Sequence, residues 1–380
     1  MTRRDFFASA CVASAFDALP ASFIKGPKTK FLMLFTADGL RWQEVFTGID
    51  PALMNEKDFG MGNENAGALR ERLWKSNPEG RRLALMPFFW STLAGRGAVL
   101  GNVHKGSSVQ VTNAFRNSSP GYSELLTGRA QDDVIRGNAP VQNPTPSFLQ
   151  FLKTRWQLPR EQAAVFASWA NLHYVAETRP GEIFINAGYE DSPMPANSTR
   201  VAALNRLQHQ ALYTEDSARH DAFTFGLAME YLEAVQPKLF YISFDETDDW
   251  AHEKRYDRVL ESIQLFDDSI RELWSWIQNH APYRDATTLI LTCDHGRGGT
   301  REDWDSHGKD VAGADQIWVA FIGPDTPARG EISNSAACFQ RDIAPTALDL
   351  MGVDYKEFSG VLGKPIVEAL PRLRLGPPVT

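Results

Sequence analysis

Four short runs of consecutive apolar residues punctuate the chain, at 30–37 (KFLMLFTA), 238–244 (KLFYISF), 287–293 (TTLILTC) and 316–322 (QIWVAFI). Each ends at turn-forming or polar residues: Asp38-Gly39, DETDDWAH, DHGRGG and Gly323-Pro324. Runs of this length and composition predict strands. Their apolar character at nearly every position predicts burial on both faces, as in a parallel sheet. Residues 254–279 instead place Leu260, Ile263, Leu265, Phe266, Ile270, Leu273, Trp274 and Ile277 at helical spacing. Strands alternating with helices predict an α/β fold of three layers, a mostly parallel central sheet with helices on both faces. Residues 29–365 read as one domain, and no internal repeat is evident. Residues 129–146, rich in polar, Gly, Asn and Pro positions, predict loop. Residues 155–235 mix short apolar runs with turns and read as part of a peripheral elaboration spanning about 130–235.

Composition narrows the picture. With 380 residues and 43% hydrophobic positions, the chain can bury a sizeable core, and a charged fraction of 23% argues against global disorder. The net charge of -8 and the lack of a basic stripe argue against nucleic-acid binding. Carboxylates gathered at metal sites are another source of that acidity. The three cysteines, Cys11, Cys293 and Cys338, are too few for a disulfide framework, and the last two either pair or stay free. At the N-terminus, Arg3 and Arg4 precede Phe6, Phe7 and a small-residue apolar stretch. Residues 1–25 resemble a twin-arginine export signal, which implies a periplasmic or secreted protein. The other reading is the tail of a cytoplasmic protein. The apolar stretch is too short to span a membrane.

The chemistry-bearing residues follow the predicted strands. Asp38 follows the first, Asp248 and His252 the second, Asp294 and His295 the third. In open α/β sheets ligands bind beyond the carboxyl ends of strands, so these residues are expected to converge. Asp38-Gly39 alone also reads as a plain turn. Asp248 and His252 share a helix face at i,i+4 spacing and can grip one ion, or form a surface pair. Two aspartates with His295 would make one metal site. Asp248, His252 and His307 would make a second, richer in nitrogen. Mixed imidazole and carboxylate donors suit zinc, with manganese the other option. In NAFRNSSPGYSELLTG, residues 113–128, Pro120 fits the first turn of a helix and a preceding serine its N-cap. A serine there sits in the positive field of the helix start. Ser118 and Ser119 read equally as capping residues. Arg116, Lys105, Arg297 and Lys309 read as solvated surface charges, with binding of a second anionic group the other reading. Phe115, Trp250 and Tyr256 read as core or helix-surface positions, with flanking of an aromatic or nucleoside leaving group the other reading.

The ordered motifs SSPGYSELLTG, DETDDWAH and CDHGRGG followed by DSHG resemble the alkaline phosphatase superfamily, which includes nucleotide pyrophosphatase/phosphodiesterases, sulfatases and cofactor-independent phosphoglycerate mutases. The resemblance covers residues 30–355 and implies an alkaline-phosphatase-like fold. It implies that Asp38, Asp294 and His295 hold the metal that activates the nucleophile, and that Asp248, His252 and His307 hold the metal that activates water. Counting back from Pro120 and from Gly128 both give Ser118 as nucleophile. Asn138 resembles an asparagine placed near the phosphoryl oxygens. The implied enzyme hydrolyses phosphate mono- or diesters through a phosphoseryl intermediate, with helix-start N–H groups and Asn138 stabilising the equatorial oxygens. Small-molecule phosphate or sulfate esters are the implied substrates. Tyr122 stands where formylglycine sulfatases carry arginine, which disfavours that class. A sulfatase or phosphoglyceromutase-like phosphotransferase on the same scaffold and a non-catalytic metal-binding protein are the alternatives.

Overall fold

In the computed structural model, residues 26–371 are described, except 212 and 214–216, so the leader and Cys11 lie outside the described residues. The strands are β1 (Phe31–Ala37), β2 (Ala98–Leu100), β3 (Val109–Gln110), β4 (Ala163–Ala167), β5 (Phe184–Ala187), β6 (Leu239–Phe244), β7 (Thr287–Thr292), β8 (Gln316–Ile317), β9 (Val319–Ile322), β10 (Gly330–Glu331) and β11 (Cys338–Phe339). Eight form a central sheet in the order β10-β2-β9-β7-β1-β6-β4-β5, and β11-β3-β8 form a small second sheet. β7, β1, β6, β4 and β5 run parallel; β9 is antiparallel to both neighbours.

Alternation along β1 shows how the layers close. Phe35 packs edge-on against Phe266 of helix Tyr256–Asn279 at 4.8 Å and lies 6.3 Å from Phe225 of helix Asp221–Val235. Its neighbour Thr36 points to the opposite face. There it bonds Ser243 of β6, whose hydroxyl reaches Tyr122 of helix Ser118–Thr127 at 3.2 Å. Helices therefore cover both faces. The expected helical stripe holds: Leu260, Ile263, Phe266, Ile270, Leu273 and Ile277 are buried.

Two expectations need correction. The run 316–322 is not one parallel strand. It breaks at Trp318, whose Nε1 donates to Leu40 O at 3.1 Å; β8 joins the small sheet and β9 runs antiparallel beside β7. An apolar run reports burial, and burial does not set direction. The segment 155–235 is not merely peripheral, because β4 and β5 extend the central sheet at one edge. Cys293 and Cys338 are buried and unpaired.

Candidate metal and nucleophile site

Register delivers the site. Ala37 pairs with Phe244 and Thr36 with Thr292, so the adjacent strands β6, β1 and β7 finish level with one another. The residues that follow, Asp38, Asp245 and Asp294, emerge at the same edge. Neighbouring parallel strands stand roughly 4.8 Å apart, so these aspartates cannot avoid each other. After β6 the chain turns directly into helix Glu246–His252, whose one face carries Asp248 and His252. Gly39 makes the turn after β1 in a left-handed conformation (φ 56°), and a Cβ there would stand 2.4 Å from Asp248 Oδ1. Only glycine lets Asp248 approach this closely.

All six residues expected as ligands meet. His295 Nε2 lies 3.3 Å from Asp38 Oδ1, 3.4 Å from Asp294 Oδ2 and 3.6 Å from Asp248 Oδ1. His252 Nε2 lies 3.0 Å from Asp248 Oδ2 and 3.0 Å from His307 Nε2. Two donor groups result, Asp38–Asp248–His295 and Asp248–His252–His307. Asp248 thus borders both groups rather than belonging to one. Asp294 spends Oδ1 on the Gly39 N–H, at 3.0 Å.

The donor set fits divalent metal. Both Asp38 oxygens and Asp294 Oδ2 are buried without a hydrogen bond, a costly state for a carboxylate unless a cation compensates it. Burial, then the nearby Asp248, pushes Asp38 well above the usual carboxylate range. Burial, then Asp38, does the same to Asp294. Burial also works to raise Asp248, but the Arg297 guanidinium and the His307 and His252 rings outweigh it and hold Asp248 well below its ordinary value. Burial, with His295 beside it, lowers His307 to about 2, which leaves a neutral imidazole ready to donate a lone pair.

Ser118 opens helix Ser118–Thr127, and Asn117, not a serine, is the N-cap. Its Oγ lies 3.4 Å from His295 Nε2 and 3.5 Å from Asn138 Nδ2. The Ser119 N–H donates to Asn138 Oδ1 at 3.0 Å, and Asn171 Nδ2 donates to the Asn138 carbonyl at 2.7 Å. These bonds aim the Asn138 amide N–H at the serine oxygen. They also consume the Ser119 N–H, which sequence reading had reserved for a bound anion.

Several other expectations resolve. Arg297 is 2% exposed and bonds both the carboxylate and the carbonyl of Asp248, so it is not a solvated surface charge. Lys105 is exposed and pairs with Glu331 at 2.7 Å. Arg116 lies 3.8 Å from Asp315, and Lys309 is exposed. Tyr256 is core: it donates to Glu44 and accepts from the Asp50 N–H. Phe115 lines a side cavity with His307 and Lys309. Trp250 is half-buried against Tyr213. Sequence reasoning missed Asn171, Trp169, Asp245 and Asp249, which line the cavity at Ser118. Only the last two had a signal, being inside DETDDWAH. No helix among the described residues is long and apolar enough to cross a membrane.

No protein-family profile and no curated protein matches the sequence. Solved structures do. The alkaline phosphatase PafA superposes with TM-score 0.53 at 11% identity, over 92% of this chain and 100% of that one. BT1596, a 2-O GAG sulfatase, gives 0.54 at 12%, over 91% and 74%. A protein in the alkaline phosphatase superfamily from Vibrio parahaemolyticus gives 0.50 at 14%, over 91% and 72%. Likeness at such low identity concerns the course of the chain, and the parallel strands that bring Asp38, Asp245 and Asp294 to one edge are that course. The chain has the fold of the alkaline phosphatase superfamily.

Proposed function

We propose that the protein is an exported, metal-dependent hydrolase of phosphate esters that uses Ser118 as nucleophile. One observation carries the reading: the Ser118 hydroxyl stands beside His295 and Asn138, where three buried carboxylates and three imidazoles converge. Asp38, Asp294, His295, Asp248, His252 and His307 would hold two divalent ions, zinc by donor type. Ions bound there would supply Lewis acidity to the reacting phosphate ester.

The chain's own residues do the rest. The start of helix Ser118–Thr127 fixes the hydroxyl in a buried, positively biased position. Ser118 Oγ gives its proton to solvent in the cavity and bonds phosphorus as the ester's alcohol oxygen leaves and takes a proton from solvent. The Asn138 amide, held by Ser119 and Asn171, donates to a non-bridging oxygen as charge builds there. Water then cleaves the phosphoseryl bond, restoring the hydroxyl and releasing the phosphate product. Phosphate is favoured over sulfate because Tyr122, at the position of the sulfatase arginine, is buried against Ser243 and brings no cation to the cavity.

The test is elemental analysis joined to a panel of phosphate mono-, di- and sulfate esters. Ser118→Ala is expected to abolish turnover and keep metal; His252→Ala is expected to lose metal and activity together. Native activity in Ser118→Ala would remove the nucleophile assignment.

A further inference from the structure

The cavity at Ser118 holds about 380 Å³. One part of its wall is the site just described. Another part is Asp245, Asp249 and Trp169.

The carboxylates around the end of β6 differ in how far they are committed. Asp221 accepts from Ser168 Oγ at 2.6 Å and from the N–H groups of Asp245 and Glu246. Glu246 accepts from His220 Nδ1 at 2.9 Å, the Asp221 N–H and Ser262 Oγ. Those two hold the fold together. Asp245 is different. It is 6% exposed, it faces the cavity, and no hydrogen bond or ion pair among the described residues reaches its carboxylate. It belongs to neither metal-donor group. Asp248 and Asp249 line the same wall. A buried carboxylate facing a cavity, with other carboxylates for neighbours, stays costly until a cation arrives.

We infer that this end of the cavity receives a positively charged group, so that the preferred substrate is a phosphate ester whose alcohol carries an ammonium. A hydroxyl-rich alcohol would give hydrogen bonds to Asp245 but leave its charge uncompensated. An ammonium supplies the counter-charge, and Trp169, on the wall of the same cavity, adds an aromatic side chain of the kind such cations favour. The volume suits a phosphoester with one small substituent.

The inference rests on the hydrolase reading for turnover but not for binding, and the two are tested apart. The first comparison is kcat/KM on phosphocholine against its neutral carbon isostere, 3,3-dimethylbutyl phosphate. The native enzyme is expected to prefer the charged ester by roughly tenfold or more, and Asp245→Asn to erase most of that preference. The second is calorimetric titration of choline into metal-loaded Ser118→Ala, with and without Asp245→Asn, alongside elemental analysis. Choline is expected to bind only where Asp245 is intact, with metal content equal in both. Equal use of the two esters, a preference that survives Asp245→Asn, or choline binding that ignores Asp245 would overturn the inference. So would loss of metal in Asp245→Asn, because Asp245 would then be a ligand. Choline binding through Asp245 with neither ester hydrolysed would uphold the subsite and remove the hydrolase reading instead.

Discussion

Gly121→Ala offers a sharp test of how the nucleophile is positioned. Helix Ser118–Thr127 crosses the turn after β7 with Gly121 against Asp294: a methyl added there would lie 2.3 Å from Asp294 O and 2.9 Å from its carbonyl carbon. Ordinary contact begins near 3.4 Å, so about 1 Å must be found. Asp294 cannot yield it easily. Gln340 Nε2 holds the Cys293 and Asp294 carbonyls at 3.1 and 2.6 Å, and Gly39 holds Oδ1. The helix must move, and Ser118, one turn earlier, moves with it away from His295. A misplacement of roughly 1 Å costs about a hundredfold in rate. The stability effect is smaller: overpacking costs about 1–3 kcal/mol, and alanine regains about 1 kcal/mol over glycine in a helix. The expected variant therefore folds, keeps its metal and loses about a hundredfold in kcat/KM on phosphate esters. Thermal unfolding, elemental analysis and steady-state kinetics read the three quantities. Gly67→Ala is the control. It lies in helix Glu64–Leu73 with nothing within 4 Å of the added methyl, and it should leave activity unchanged. A Gly121→Ala enzyme within about threefold of native kcat/KM would refute the argument, since a misplaced serine cannot retain transition-state contacts.

Other outcomes follow from the same site. Asp38 and Asp294 have raised folded values, so the metal-free fold binds more protons than the unfolded chain between the ordinary carboxylate range and those raised values; its stability falls as pH rises through that window. Asp248, held low, acts oppositely, but only at more acid pH. Chelated protein should thus melt higher at mildly acid than at mildly alkaline pH, and added zinc should stabilise more as pH rises; equal gains at both would count against metal at these carboxylates. Glu124 accepts from the N–H groups of Thr112, Asn113 and Arg341 and from the Thr112 and Asn113 side chains. Glu124→Ala should lower the unfolding free energy in denaturant by about 3 kcal/mol, because several buried donors lose their acceptor at once. Replacing Arg3 and Arg4 by lysine should retain the protein in the cytoplasm, measured by cell fractionation.

The strands that build the site were legible because burial on both faces leaves an uninterrupted apolar run. β1, β6 and β7 begin or end within one residue of their expected bounds. β4 and β5 are also buried throughout, yet they were read as elaboration. They are only 5 and 4 residues long and sit among turns, so the sequence carries too few consecutive apolar positions to separate sheet from loop. His307 follows no strand and rested on the DSHG motif of the resemblance; the other five expected ligands were legible because each follows a strand or lies at helical spacing from one that does. Their convergence then needs only the level ends of three adjacent strands.

The sequence hides which charges are already spent. In DETDDWAH four carboxylates stand within five positions and look alike. Helix Glu246–His252 turns Glu246 back to His220 and Ser262, leaves Asp245 facing the cavity, and sends Asp248 across to His295. Arg297 shows the same limit from the other side. Beside Asp294, His295 and Gly296 it reads as a loop cation bound for solvent. Gly296 overturns that, because its backbone passes so near Gln316 that a Cβ would lie 2.2 Å from the Gln316 carbonyl, and the chain folds back inward. Arg297 therefore ends on Asp248 and contributes one positive charge to a site with three buried carboxylates. One guanidinium cannot balance three such groups. The unbalanced remainder is centred on Asp38 and Asp294, whose buried oxygens include three that no hydrogen bond reaches, and a divalent cation at this pair would supply the missing charge.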